Sequence, residues 1–434
     1  MSAFITLFAF ALFSFAIRNI SLLKVLSLIA LGACAYFSLH NYHVELNGFA
    51  LSSAMALFEV VLFIVLGAFV LNETETVNIT QTLFIGTASV ALLESNTLIN
   101  FIISFEALSI ISFVLVANIK NAQQAEGAVK MFIAGSIATA LIVFGTAFYL
   151  FEGHSLNKTI QSVGMFGAIG LWVMLMGLFY KLTIVPMHTW AADSYSQIKA
   201  SHAALLSGVA KTVAALATFK IFAPFLLQNL DFSMPILITF SLITMTLGNF
   251  LALFQKKVSK ILAYSSIAHA GYMLLAFVAV KSGYASTGLL YIAIAYIFMQ
   301  SSLFMLIGNL HDNSSYITLE NLKGLGKKDK ITSLIFSIQL FSLAGVPLLA
   351  GFISKAVLVY AVVDVNLPIV ALITLLNSAL SVAYYAWIIK HIYFDDVSLN
   401  YNLKELEFTP LLAQVILLGG TLYFGVFAYT VFAV

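Results

Sequence analysis

The sequence predicts an all-α polytopic membrane protein of about fourteen transmembrane helices, arranged as two inverted five-helix repeats with broken helices 7 and 12. Three observations carry that expectation. The chain of 434 residues is 62% hydrophobic and only 9% charged, against roughly 25% charged in an ordinary soluble domain. Its apolar runs recur at lengths that can cross a bilayer. Two of those runs are too long for one span, and each contains a Val-Pro pair, Val185-Pro186 and Val346-Pro347.

Taken in order, the first run, Ser2 to Ile17, has no positive charge before it and Arg18 and Lys24 after it. That is the reverse of a secretory signal, so a retained first helix is expected, and no Arg- and Ser-rich transit peptide is present. The following spans are expected near 21–40, 50–71, 79–96, 98–118, 125–151, 163–194, 200–228, 234–254, 258–281, 285–311, 330–364, 367–393 and 409–433. Pro224, Pro235, Pro368 and Pro410 lie near span ends, where proline is tolerated. Pro186 and Pro347 lie inside spans, where proline removes a helix hydrogen bond that lipid cannot replace, so each break must be packed against protein or water. The two prolines are 161 residues apart, and five spans separate the seventh from the twelfth. An odd shift inverts topology, which gives helices 1–3 over 1–77, a first repeat of helices 4–8 over 78–230, an inverted repeat of helices 9–13 over 231–396, and helix 14 over 397–434.

Orientation follows from the loops. With the N-terminus outside, the inward connections carry Arg18, Lys24, Lys120, Lys199, Lys256, Lys257, Lys260, Lys323, Lys327, Lys328, Lys330, Lys390 and Lys404; the outward ones carry only Lys158 and Lys281. This bias predicts that both termini face the periplasm or its equivalent. Net charge is only +2, which argues against nucleic acid as a partner; membrane lipid is the expected surroundings. Cys34 is the single cysteine, so no disulfide framework and no Cys-ligated zinc or iron–sulfur cluster is expected on this chain. No loop exceeds about 20 residues, and NLKGLGKKDK matches neither a Rossmann fingerprint nor a P-loop.

Five basic residues remain within or near spans: Lys130, Lys181, Lys211, Lys220 and Lys355. An ammonium at membrane depth costs about 2.5 to 3.5 kcal/mol on insertion scales and normally faces a protein interior or water. Lys181 and Lys211 flank Pro186 and His188 in GLFYKLTIVPMHTWAADSYSQIKASHAALLSGVAK. Glu106, mid-span in FIISFEALSII, reads as the ion-pair partner of Lys181, with an acid kept neutral by burial or satisfied by a neighbouring helix as the alternative. Such a pair is a switch as well as a bond, because gain or loss of a counter-ion is comparable with the roughly 2.3 kcal/mol of moving one charge against 100 mV. Lys211 lies too deep in its span for easy snorkelling and reads as a relay; Lys220, near Pro224, reads as a snorkelling lysine. His188 follows the break and reads equally as a proton carrier or as a cap on freed carbonyls. His269 in SSIAHAGY is a relay or a satisfied core histidine. Lys355 in AGFISKAVL is the counterpart of Lys181 or Lys211 in the second half. Glu126 and Lys130, spaced i, i+4, form a surface pair or line the cytoplasmic mouth. Glu59, mid-span three, is left open between a partner contact and a neutral buried acid.

These segments carry a family resemblance. FEALSIISFVLVA, EGAVKMFIAGSIATALIVFG, YKLTIVPMHTWAADSY, GNFLALFQKKVSKILAYSSIAHAGY and LAGVPLLAGFISK resemble the antiporter-like membrane subunits of proton-pumping NADH:quinone oxidoreductase, respiratory complex I. That family is shared with multi-subunit cation/proton antiporters and membrane-bound hydrogenases, and the resemblance is firmest from Glu106 to Tyr385. Within it, SSIAHAGY is similar to the subunit N group. Lysine at 355 argues against the subunit M group, and the want of a long amphipathic C-terminal extension against subunit L. The resemblance implies proton translocation through Glu106, Lys181, Lys211 and Lys355, with His188 and His269 on a central axis and Glu126 with Lys130 at the start of span six. It also implies sibling antiporter-like subunits as partners, and quinone, flavin and iron–sulfur clusters on other subunits rather than on this chain. One departure stands out: Asp193-Ser194-Tyr195 runs into SQIKASHAA, where the family has a glycine- and proline-containing loop.

Three other readings make different expectations. A subunit of a sodium or potassium/proton antiporter would show cation exchange without quinone reduction. A single-chain transporter would work alone when reconstituted, and a structural spacer would tolerate replacement of its lysines.

Overall fold

In lipid the backbone must satisfy its own polar groups, and apolar runs of this length do so as helices. The computed structural model describes residues 2–44, 50–117, 122–160, 162–310, 317–397 and 403–428. The helices are α1 (Ser2–Ser14), α2 (Ile20–Val44), α3 (Ala50–Asn72), α4 (Thr76–Leu93), α5 (Leu98–Val116), α6 (Ala122–Phe151), α7 (Met165–Leu182), α8 (Ala191–Gln197), α9 (Ala200–Ala204), α10 (Lys211–Gln228), α11 (Leu230–Leu253), α12 (Val258–Val278), α13 (Ala285–Leu310), α14 (Leu325–Lys328), α15 (Lys330–Ala344), α16 (Ala350–Asp364), α17 (Pro368–Tyr393) and α18 (Phe408–Val426). A π-helical segment, Leu205–Ala210, joins α9 to α10 without a break. Among the described residues, twelve helices are long and apolar enough to cross a membrane. The expected first span is a 13-residue helix, and the expected twelfth is divided into α15 and α16, of 15 residues each. Lys120 and the end of the last expected span, 429–433, fall outside the described residues.

Sequence chemistry sets the ends. The Thr97 hydroxyl accepts from the Asn100 amide at the start of α5, and the Asp329 carboxylate accepts from Thr332 at the start of α15, each satisfying one of the orphan donors of a first turn. Pro368 opens α17, where a missing N–H costs nothing. Helices α6 and α7 approach closely because Gly145 and Gly170 face each other: a Cβ on either would lie 2.4 or 2.5 Å from the other's carbonyl oxygen.

The chain divides into a periphery and a centre. On α5, Ile103, Ile110 and Val114 form an exposed apolar stripe, the face a helix turns to lipid. In α12 and α13, by contrast, 94% and 100% of the spanning window is buried, so these two helices contact protein all round. They are also rich in polar side chains: Ser265, Ser266, His269 and Tyr272 on α12, and Tyr296, Gln300, Ser301 and Ser302 on α13, all buried.

Both over-long runs are interrupted at the prolines. Helix α7 stops at Thr183, which adopts φ 59°, and the chain passes a cis Val185-Pro186 peptide before α8. Helix α15 stops at Gly345, φ 92°, and α16 begins five residues later. Gly351 then lies so near α15 that an added Cβ would overlap the Ser342 carbonyl.

Candidate functional site

The buried lysines are held by the helix breaks. Lys211, the first residue of α10, is fully buried, and its Nζ donates to the Thr183 hydroxyl at 2.7 Å, the Ser266 carbonyl at 3.0 Å and the Ser266 hydroxyl. One ammonium thus ties the end of α7 to the middle of α12. Lys355 in α16 donates to the carbonyls of Leu343, at 2.7 Å, and Ala344, at 3.3 Å, and to the Ser378 hydroxyl at 3.3 Å. It therefore neutralises the negative end of α15 where the break leaves those carbonyls free. Its Nζ also stands 5.1 Å from the centre of the Tyr272 ring.

His269 lies between the two lysines, within electrostatic reach of both. Its Nδ1 is 2.9 Å from the Ser265 carbonyl. A carbonyl can only accept, so Nδ1 carries the hydrogen and Nε2 of the neutral ring has a lone pair. Among the described residues that Nε2 makes no hydrogen bond within 3.5 Å, and neither do the hydroxyls of the neighbouring Tyr272 and Tyr296 or of Tyr385. Buried polar atoms of this kind call for water.

The expected Glu106–Lys181 ion pair is not formed. Glu106, half-buried on α5, accepts from the Thr139 hydroxyl at 2.9 and 3.1 Å. Lys181, buried, donates instead to the Ser112 hydroxyl at 2.8 Å and approaches the Leu108 carbonyl at 3.5 Å. The physical reason is register: Ser112 lies six residues beyond Glu106, about 9 Å along α5. The two remain within electrostatic reach, and Lys181 is two residues from Thr183, the acceptor for Lys211.

His188 is half-buried in the first break; its backbone carbonyl accepts from the Ala191 amide at 3.0 Å, and among the described residues its Nδ1 makes no hydrogen bond within 3.5 Å. Glu126 and Lys130 pair at 2.6 Å, both partly exposed, but they do not stand alone. Asp193 of α8 takes Lys130 at 2.7 Å and Lys260 of α12 at 3.2 Å. Lys220 donates to the Leu93 carbonyl at 3.0 Å, at the end of α4. Glu59 accepts from Ser38 of α2 at 2.7 Å, a partner contact within the chain.

Reading charge alone missed the connecting groups Thr183, Ser112, Thr139 and the three tyrosines, and gave Ser266, beside His269, and Asp193 no part in holding the lysines. The available signal was position, since Thr183 immediately precedes a Val-Pro break and Ser266 lies three residues before His269.

Comparison with known proteins gives one consistent answer. The family described as NADH:quinone oxidoreductase/Mrp antiporter, TM, matches residues 95–381. F(420)H(2) dehydrogenase subunit N of Methanosarcina mazei is 32% identical over 354 residues, 76% of this chain and 70% of that protein. NADH-quinone oxidoreductase subunit N 1 of Solibacter usitatus is 33% identical over 345 residues, 77% of this chain and 71% of that one. Among solved structures, a chain of respiratory complex I from Thermus thermophilus superposes with a TM-score of 0.84 at 23% identity, covering 99% of this chain and 98% of its own. A chain of the Mrp complex from Dietzia sp. superposes with a TM-score of 0.86 at 16% identity, covering 98% and 93%. At these identities the two structures speak for the fold.

Proposed function

Because the chain belongs to the NADH:quinone oxidoreductase/Mrp antiporter family of membrane subunits, we propose that it translocates protons for a quinone-reducing complex of the NADH:quinone oxidoreductase type. The observation that carries this reading is Lys211: a fully buried ammonium that, among the described residues, has no carboxylate within 4.0 Å and is held by hydroxyls and a carbonyl. A cation so placed is poised to release its proton when nearby charge changes. In this reading quinone chemistry on other subunits alters the field at Glu106 and Lys181. Lys211 then passes a proton through water toward Nε2 of His269, and Lys355 receives it on the far side of Tyr272. His188 offers a lateral contact at the break, and Glu126 with Lys130 lies at the cytoplasmic face. Flavin, iron–sulfur clusters and quinone belong to partner subunits, among them sibling antiporter-like chains. The membrane would be the bacterial inner membrane, with both termini periplasmic and residues 78–230 and 231–396 as the inverted repeats.

Lys211→Met in the assembled complex tests this. Protons pumped per quinone reduced should fall, and an unchanged ratio would overturn the relay role. The Methanosarcina mazei relative is named for a different electron donor, so assaying the purified complex with NADH and with F420H2 separates two complexes that the same membrane subunit would serve.

A further inference from the structure

The inner end of α9, KASHAA, is where the sequence departs from its family pattern, and the fold opens a cleft of about 260 Å³ there. It is lined by Glu73, Lys199, Ser201, Asn309, Glu405 and Glu407, among others. Glu73 is only 3% exposed, yet it lies at the end of the membrane helices, where a carboxylate could have reached water. Its Oε2 takes Lys199 Nζ at 2.9 Å and Asn78 Nδ2 at 2.9 Å. Lys199 is 42% exposed, so the pair has one buried and one solvent-accessible partner. When Lys199 swings outward, the carboxylate is left desolvated without its nearest counter-ion, and its lowest-energy form is then protonated. The other charged groups around it are Glu75, which shares the Asn78 amide at 3.2 Å, His202 of α9, Lys24 of α2, and Lys404, Glu405 and Glu407 on the segment before α18.

Polar groups continue inward from this cleft. His202, 3% exposed, lies within electrostatic reach of Glu73. From His202 to Lys211 is nine residues, about 14 Å of helix, too far for one transfer. The π-helical segment Leu205–Ala210 lies between them, and such widened turns occur frequently at functional sites. At its centre Gly208 leaves room for Ser301: a Cβ there would lie 2.4 Å from the Ser301 hydroxyl. That hydroxyl is fully buried and has no protein partner, and neither has Oε1 of the adjacent Gln300.

We propose that Glu73 and His202 form the inner mouth of the proton route, with the π-helical turn and Ser301 joining them to Lys211. One proton binds Glu73 from the cleft, one leaves His202 toward Lys211, and no co-reactant is needed. The proposal rests on the reading of Lys211 as a proton carrier.

The test uses the assembled complex in sealed vesicles and reads protons pumped per quinone reduced. Glu73→Gln and His202→Leu should each lower that ratio, as should Lys211→Met. Normal ratios in the first two with a lowered ratio in Lys211→Met would overturn the mouth and leave the relay standing; a normal ratio in Lys211→Met would overturn both. Should the buried substitutions fail to assemble, Glu405→Cys on the exposed rim decides. Its ratio is measured before and after treatment with a bulky membrane-impermeant thiol reagent, with the unsubstituted complex, whose Cys34 is buried, treated in parallel. A loss on modification supports the mouth, and no loss overturns it.

Discussion

Lys211 and Lys355 are both buried ammoniums, but they donate to different acceptors, and the cost of removing each differs accordingly. Lys355 is bonded to two carbonyls that the break in α15 has freed. In Lys355→Met those carbonyls stay buried with no donor, a penalty of about 1–3 kcal/mol. Lys211 is bonded to two hydroxyls and one carbonyl of a continuous helix. In Lys211→Met the hydroxyls can pair with each other, and replacing a buried ion by an apolar chain is often neutral or stabilising. The apparent melting temperature of the purified complex should fall for Lys355→Met and hold or rise for Lys211→Met; the reverse order would refute this account of the acceptors. Glu73 supplies a pH dependence. Burial pushes its carboxyl upward, but the Lys199 ammonium and its hydrogen bond outweigh burial and hold it below the usual carboxylate range. A depressed folded value means stability that is present above the unfolded value, about 4.3, and lost as pH falls through the folded one. Melting temperature should therefore drop on acidification below pH ~4.3, and the drop should be shallower in Glu73→Gln.

At the scale of elements, contact between helices is set where glycine removes a side chain. Gly145→Ala would press a methyl onto the Gly170 carbonyl, a backbone atom that cannot turn aside, and force α6 from α7 at a cost of about 1–3 kcal/mol. Gly419→Ala in α18 meets nothing within 4 Å and should stabilise by about 0.4–1 kcal/mol; melts of the two variants should bracket the parent. The breaks in α7 and α15 were legible in the sequence because proline inside an apolar run has few other meanings. The π-helical turn was not, because LLSGVA is as apolar and as helix-compatible as its neighbours. The lysines and histidines were legible for a similar reason: charge is scarce in a chain that is 9% charged. Their partners were not. Serine and threonine are ordinary in membrane helices, and only the fold shows that Thr183 and Ser266 converge on Lys211. Register between α5 and α7 also lies beyond a one-dimensional pattern, which is why Lys181 was expected on Glu106 and is found at Ser112.

Across the whole molecule, the buried polar groups that contact the two breaks lie along one helix, α12. Thr183 joins the first break to Lys211, Ser266 and Ser265 join Lys211 to the turn of α12 that bears His269, and Tyr272 joins that turn to Lys355 at the second break. A series and a pair of parallel routes make different predictions for combined substitutions. Where residues act as one unit, losses are far from additive, since removing a second member of a broken path removes nothing more. Two independent half-routes would each lose their own share, and the losses would sum. Pumping per quinone reduced should therefore be measured for Lys211→Met, Lys355→Met, His269→Phe and the Lys211→Met/Lys355→Met double variant. If the path is a single series through α12, the double variant pumps no less than the worse single one, and His269→Phe matches them. If the double variant loses the sum of the two while His269→Phe loses little, the breaks serve separate routes and α12 is only the wall between them.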